Sequence, residues 1–246
     1  MHYYEMSPSQ IREAIAKKVP AILPIGTLEY HSEHLPVGTD GMVAEGMASR
    51  IEARHPDVVI LPMFYYGTSS YSVAGPENGQ GTISIDSMNV CRFAEDLFTN
   101  LLEVGLRNIH GIIYHQAENF QQGMPTDLAF RFAGRRAIFA FLERTLGRGW
   151  WGNPQMKDYY QNPENNYFDW IQIHSYADDF QKECPIDHAG RIETSQIMEL
   201  RPDLVHLEKL VDRDWYAASA KDATRECGRQ TFDAAVKDLE KMLKLA

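Results

Sequence analysis

At 246 residues and 44% hydrophobic content, the chain can bury one sizeable core, and a single domain over residues 1–246 is expected. Its 34 acidic against 24 basic residues, a net charge of −10, disfavour nucleic acid and anionic membrane as partners. No apolar run approaches a membrane span, and the opening MHYYEMSPSQ lacks the basic-then-apolar pattern of a secretory signal. Cys91, Cys184 and Cys227 are widely spaced and match neither a disulfide framework nor a zinc spacing, which points to a reducing, cytoplasmic home.

Residues 21–26, AILPIG, are short, apolar and closed by glycine, the pattern of a strand buried on both faces; Pro24 places it near an edge or an end of its sheet. Glu29 and His31 follow. Two apart in extended chain, they point to one side at the carboxyl end of the strand, where open α/β sheets bind ligands. Val43, Met47 and Ile51 then recur at helical spacing behind Thr39, the expected N-cap. Asp40 therefore falls in a first helical turn, which favours a carboxylate.

Residues 58–62, VVILP, read as a second strand. Residues 87–106 read as a helix with Val90, Phe93, Leu97 and Leu101 on one face, and residues 109–115 as a third strand ending at His115. Residues 130–146 are helical again. Residues 147–166 change character: rich in Gly, Pro, Asn and aromatics, they are long for a connection, and Trp150, Trp151, Tyr159 and Tyr160 suit a lid or a subunit contact. Residues 222–245 close the chain with an amphipathic helix whose stripe is Phe232, Val236, Leu239 and Leu243. The alternation of strand-like and helical runs gives an α/β fold, a mostly parallel sheet covered on both faces.

The chemistry is concentrated early. Glu29, Glu33 and Asp40 with His31 and His34 are ligand types for divalent metals. Taken singly, a loop carboxylate is a solvated charge or a cap, and one histidine is hydrogen-bonded structure. Their clustering after a buried strand favours a site.

Glu29, His31, His34, Leu35, Pro36, Thr39 and Asp40 spell E-x-H-x-x-H-L-P-x-x-T-D, which resembles the signature of the creatininase (creatinine amidohydrolase) family, metal-dependent hydrolases of unusual amide bonds. GTISI at residues 81–85 resembles the family's P-G-T-I-S block, and His115 stands where the family has a metal-binding histidine. DHAGRIETS at residues 187–195 resembles H-A-G-x-x-E-T-S, and ATRECG from Ala223 is similar more weakly, so the resemblance spans nearly the whole chain.

That resemblance implies a creatininase-like three-layer α/β/α fold and two divalent ions, Zn and/or Mn, with Fe also suited to such ligands. It puts Glu29, Asp40 and His115 on one ion, and His31, a shared Asp40 and a further Glu on the other. Glu193 is favoured as that Glu; Glu118 is the alternative, one residue further from His115 than the family's His-x-Glu spacing. Three carboxylates and one hydroxide balance two divalent ions, which avoids buried unpaired charge. The hydroxide would attack an amide carbonyl, and His188 is the family-matched residue for moving a proton to the leaving nitrogen. Its bland reading is a capping histidine before a Gly turn.

His34 is expected to orient ligands from behind. Ser69 and Asp187 are expected at the substrate or as alternative ligands, and Glu33 as a solvated loop charge. The family's habit further implies a homo-oligomer, a hexamer, acting on a small-molecule amide. Departures concern the substrate: Ser32 and Glu33 replace the family's Gly-Pro, IYHQAEN at residues 113–119 replaces N-G-H-G-G-N, and the 67–81 loop is longer and lacks its usual histidine. They disfavour creatinine and leave cyclic amides, formamides and small peptide-like amides open. A non-catalytic metal-binding or scaffold member is the alternative, and a metal-dependent lyase a weaker third.

Overall fold

The computed structural model describes residues 1–71, 81–115, 123–161, 166–175 and 187–245. Its elements are α1 (Pro8–Ala16), β1 (Ala21–Ile25), α2 (Thr39–Arg54), β2 (Val59–Ile60), α3 (Ser87–Val104), β3 (Ile109–Ile113), α4 (Pro125–Leu146), β4 (Ile171–Ser175), α5 (Arg191–Leu200) and α6 (Arg225–Met242). The strands form one parallel sheet in the order β2-β1-β3-β4.

Side chains alternate across it. Ala21, Leu23, Ile25, Ile109 and Ile113 join a core with α1, α3 and α4, while Ile22, Ile60 and Ile112 join a second core with α2, α5 and α6. The result is the three-layer α/β/α arrangement. Phe232, Val236, Leu239 and Leu243 are buried in the second core, as the amphipathic stripe requires.

β1 lies next to the edge strand β2, with β3 on its other side, and Pro24 is its penultimate residue, so the proline does stand near an edge and an end. The missing N–H is tolerated because β2 is only two residues long, and pairing lapses after Ile60 until the bridge between Ile25 and Phe64. Thr39 is the first helical residue rather than the cap; Gly38 holds the cap position, and the Thr39 hydroxyl turns back to donate to the Pro36 carbonyl at 2.7 Å. Helix α3 stops at Val104 because Gly105 takes φ +114°, and Phe93 is 51% exposed, its ring stacked on Phe64, instead of being buried with Val90 and Leu101. β4 had no sequence signal, and α4 begins earlier than expected, at Pro125.

Two glycines set how helices meet the sheet and each other. A Cβ on Gly26, at the end of β1, would lie 2.4 Å from the Gly41 nitrogen, so only glycine lets the first turn of α2 close on the strand end. A Cβ on Gly228 would lie 2.0 Å from the Ser195 carbonyl oxygen, which explains the glycine of the ATRECG segment as the crossing point of α5 and α6.

Candidate metal centre

Four segments converge at the carboxyl ends of β1 and β3. Thr27, Glu29 and His31 leave β1, Asp40 is in the first turn of α2, His115 follows β3 by two residues, and Glu193 is in the first turn of α5. Glu29, Asp40, His115 and Glu193 are buried to between 2% and 8% exposure, and His31 is wholly buried.

Their ligand-type atoms fall into overlapping groups within 4.8 Å: Glu29, Asp40 and His115 in one, His31, Asp40 and Glu193 in another, and Glu29, His31 and His188 in a third. Asp40 is common to the first two. Its Oδ1 faces His31 Nε2 at 3.2 Å, and its Oδ2 faces His115 Nδ1 at 3.1 Å. Glu29 Oε2 lies 3.3 Å from His115 Nδ1, and Glu193 Oε2 lies 3.4 Å from His31 Nε2.

The atoms fit cations. His31 Nδ1 is 2.9 Å from the Glu29 carbonyl oxygen, an acceptor, so Nδ1 carries the hydrogen and Nε2 of the neutral ring presents its lone pair to two carboxylates. That arrangement is repulsive unless positive charge lies between them. His31 Nε2 is nevertheless buried without a directed hydrogen bond. Among the described residues no Lys or Arg pairs with Glu29, Asp40 or Glu193, so only the two imidazoles or bound cations can balance three buried carboxylates.

The protonation tendencies express the same deficit. Burial alone would lower the His31 pKa, but Glu193 and Asp40 outweigh it and raise it to about 10. His115 behaves alike: burial opposes, and Asp40 and Glu29 raise it to about 10. Burial carries Glu193 up to about 8 despite the attraction of His31. Burial pushes Asp40 upward too, yet the charge of His31 and the hydrogen bond with His115 hold it well below the ordinary carboxylate range. Without metal, the site gathers protons.

The supporting contacts sort the remaining candidates. Ser69 donates to Glu29 Oε1 at 2.9 Å, which leaves Oε2 for His115. Asp187, expected at the substrate or as an alternative ligand, accepts through Oδ2 and Oδ1 from the backbone of Ile192 at 2.9 Å and Glu193 at 3.3 Å, tying down the start of α5. Burial raises its pKa. His34 Nε2 meets the Thr194 hydroxyl at 3.0 Å, next to Glu193, in keeping with a residue acting from behind the ligands. Ser32 takes φ +58°, a left-handed conformation that accounts for the family's glycine there.

Glu33 is exposed, in keeping with a solvated loop charge, and pairs at the surface. It accepts from Arg213 at 3.1 Å and from the Tyr30 hydroxyl at 3.1 Å, and Tyr30 also donates to the buried Asp214 at 2.9 Å. His188 Nε2 lies 2.9 Å from the Tyr30 carbonyl, and its ring stands 4.5 Å from that of His31. Burial and the His31 charge lower the His188 pKa to about 4. It is therefore a neutral imidazole with Nε2–H given to the carbonyl and the lone pair of Nδ1 left over.

Sequence reasoning missed Thr27, whose hydroxyl donates to Asp40 Oδ2 and sits 3.2 Å from His115 Nδ1. Its position two residues before Glu29, on the same side of an extended chain, was the available signal. Glu118 and Cys184 lie outside the described residues.

A family model described as creatininase, creatinine amidohydrolase, matches residues 4–243. The chain belongs to the creatininase family. It is 27% identical over 192 residues to the creatinine amidohydrolase of Pseudomonas putida, covering 78% of this chain and 68% of that protein. It is 23% identical over 219 residues to the 3-dehydro-scyllo-inosose hydrolase of Thermotoga maritima, covering 87% of this chain and 60% of that protein. A solved structure described as "Creatininase Mn" superposes with a TM-score of 0.74 at 20% identity, covering 99% of this chain and 97% of the other, so the creatininase fold is shared.

Proposed function

We propose that this member of the creatininase family is a metal-dependent hydrolase of a non-standard amide C–N bond, in a cyclic amide, a formamide or a small peptide-like amide, with residues 1–246 acting as one domain. The observation that carries the reading is Asp40, a buried carboxylate whose two oxygens face two different groups of ligand-type atoms. A single structural ion has no use for a divided carboxylate; two ions do.

In this reading Glu29, Asp40 and His115 hold one divalent ion, and His31, Asp40 and Glu193 hold the second, zinc or manganese being suited to the mixed oxygen and nitrogen set. When bound, such ions supply a Lewis acid for the carbonyl and an attacking water activated near neutral pH. The chain's own residues do the rest. Ser69 fixes which oxygen of Glu29 is available. His188, held by the Tyr30 carbonyl at Nε2, takes the proton of the attacking water at Nδ1 and returns it to the departing nitrogen, which cannot leave as an anion.

A scaffold that kept the metal and lost turnover would have no use for His188 beside His31, which disfavours the non-catalytic alternative. The two named relatives act, by their names, on different compounds, creatinine and 3-dehydro-scyllo-inosose, so their kinship supports a hydrolytic site without naming the substrate. The exposed Met88, Phe93, Phe132 and Phe139 on α3 and α4, each at least 42% accessible, support a homo-oligomer, the hexamer implied by family resemblance. Among the described residues no helix is long and apolar enough to cross a membrane.

The test is a panel of lactams, formamides and short peptides offered to metal-replete protein, beside Asp40→Ala and His188→Ala. Metal-dependent hydrolysis that Asp40→Ala loses together with its metal, and His188→Ala loses while retaining metal, is the expected result. Metal uptake with no hydrolysis of any amide class would favour the scaffold reading.

A further inference from the structure

We infer that Thr27 is a positioning residue whose hydroxyl holds the Asp40 carboxylate turned so that each oxygen faces a different ion; this rests on the two-metal reading above. Thr27 is wholly buried two residues beyond β1. Its Oγ1 donates to Asp40 Oδ2, on the side of His115, while Oδ1 is left to His31 Nε2 at 3.2 Å.

A carboxylate needs such a guide. The terminal torsion of an Asp side chain is broad, so nothing within Asp40 decides how its plane lies between the two groups. A hydrogen bond to one oxygen decides it. The same hydroxyl lies 3.2 Å from His115 Nδ1, so one small group touches both the shared carboxylate and an imidazole of one ligand group.

The direction of the hydroxyl is itself fixed from behind. A Cβ on Gly67 would lie 2.7 Å from Thr27 Cγ2, so the methyl packs closely on bare backbone. That backbone is pinned to the start of α4: Thr68 N–H donates to Thr126 Oγ1 at 2.9 Å, and the Thr126 hydroxyl donates to the Thr68 carbonyl at 2.8 Å. A β-branched side chain is stiff at χ1, and in the arrangement seen here the methyl packs on Gly67 while the hydroxyl meets Asp40. Serine would supply the hydroxyl without the lock; valine would supply the shape without the donor.

The experiment compares wild type with Thr27→Val and Thr27→Ser. Metal-free proteins are titrated with Mn²⁺ against a chelator, the loaded proteins are examined by electron paramagnetic resonance for the coupled signal of a carboxylate-bridged pair, and thermal midpoints are recorded. Thr27→Val is expected to bind the second ion about 10- to 100-fold more weakly, the usual loss when a partner behind a ligand is removed, and to lose the coupled signal in favour of isolated Mn²⁺. Thr27→Ser is expected to fall between Thr27→Val and wild type. Affinity and coupling unchanged in Thr27→Val, with wild type binding a coupled pair, would overturn the role of Thr27 and leave the two-metal reading standing. Wild type that takes up no pair would overturn the two-metal reading itself. Should Thr27→Val fail to fold, Thr27→Ser decides: wild-type affinity and an unaltered signal overturn the proposal.

Discussion

Gly26→Ala should damage the metal centre without altering any ligand side chain. The new methyl would stand 2.4 Å from the Gly41 nitrogen, 2.6 Å from its Cα and 2.8 Å from the Asp40 carbonyl carbon, all backbone that cannot rotate away. Comfortable contact between such atoms is about 3.5 Å, so the first turn of α2 must retreat by about 1 Å. Asp40 rides on that turn, and its present reach of 3.2 Å to His31 and 3.1 Å to His115 leaves no slack. Constellations of this kind function within about 0.5 Å of their proper geometry, and a 1 Å error costs on the order of 100-fold in rate. Overpacking should cost about 1–3 kcal/mol of stability. The assay pairs denaturant unfolding with a chelator-competition metal titration, and Gly152→Ala is the control, since no atom lies within 4 Å of the position its Cβ would take. A Gly26→Ala protein with wild-type metal affinity and activity would refute the claim that the contact between β1 and α2 places Asp40.

Other substitutions address single residues. Glu193→Gln should halve the number of ions bound while leaving the group of Glu29, Asp40 and His115 loaded, as metal analysis would show; full occupancy would move the role to another carboxylate. His188→Ala should keep both ions and lose at least about 100-fold in kcat, the usual worth of a positioned proton carrier, whereas retained turnover removes it from the mechanism. The pair of buried His110 and half-buried His174, 2.8 Å apart with His110 Nε2 given to Asn108, should make stability fall in acid. Burial, then the neighbouring His174 and Lys244, lower His110 to about 3, and burial with Arg131 lowers His174 to about 4. The folded chain thus refuses protons that the unfolded chain accepts below about pH 6.5. Stability is full above that pH and declines by up to about 2.7 kcal/mol per unit between it and about pH 4. His174→Gln should flatten the slope of a urea-unfolding series by about one proton, and an unchanged slope would contradict this.

What the sequence disclosed follows the range of the forces involved. The strand end at Gly26, the alternation that aims Glu29 and His31 together, and the helix carrying Asp40 are local, and local periodicity revealed them. His115 was visible as the polar end of an apolar run. The ligand group of Glu193 became legible through a motif, because Asp187 and Gly190 build the turn that starts its helix. Contacts between distant segments were not legible. The surface ion pair of Glu33 with Arg213 joins residues 180 apart, and β4 escaped notice because His174, polar in sequence, is satisfied by His110 on the neighbouring strand. Phe93 matched the helical stripe but stays 51% exposed, stacked on Phe64. Thr39 has the side chain of a cap, yet it spends its hydroxyl on Pro36.

The most direct measurement is calorimetric titration of metal-free protein with Zn²⁺ or Mn²⁺ near pH 7, repeated in buffers of differing ionisation enthalpy. The raised His31 and His115, at about 10, and Glu193, at about 8, hold protons that the incoming ions must displace. Two ions per chain with release of about two to three protons, and binding that tightens as pH rises, are expected. A stoichiometry of one or none, or uptake without proton release, would contradict a centre in which Asp40 is shared between two cations.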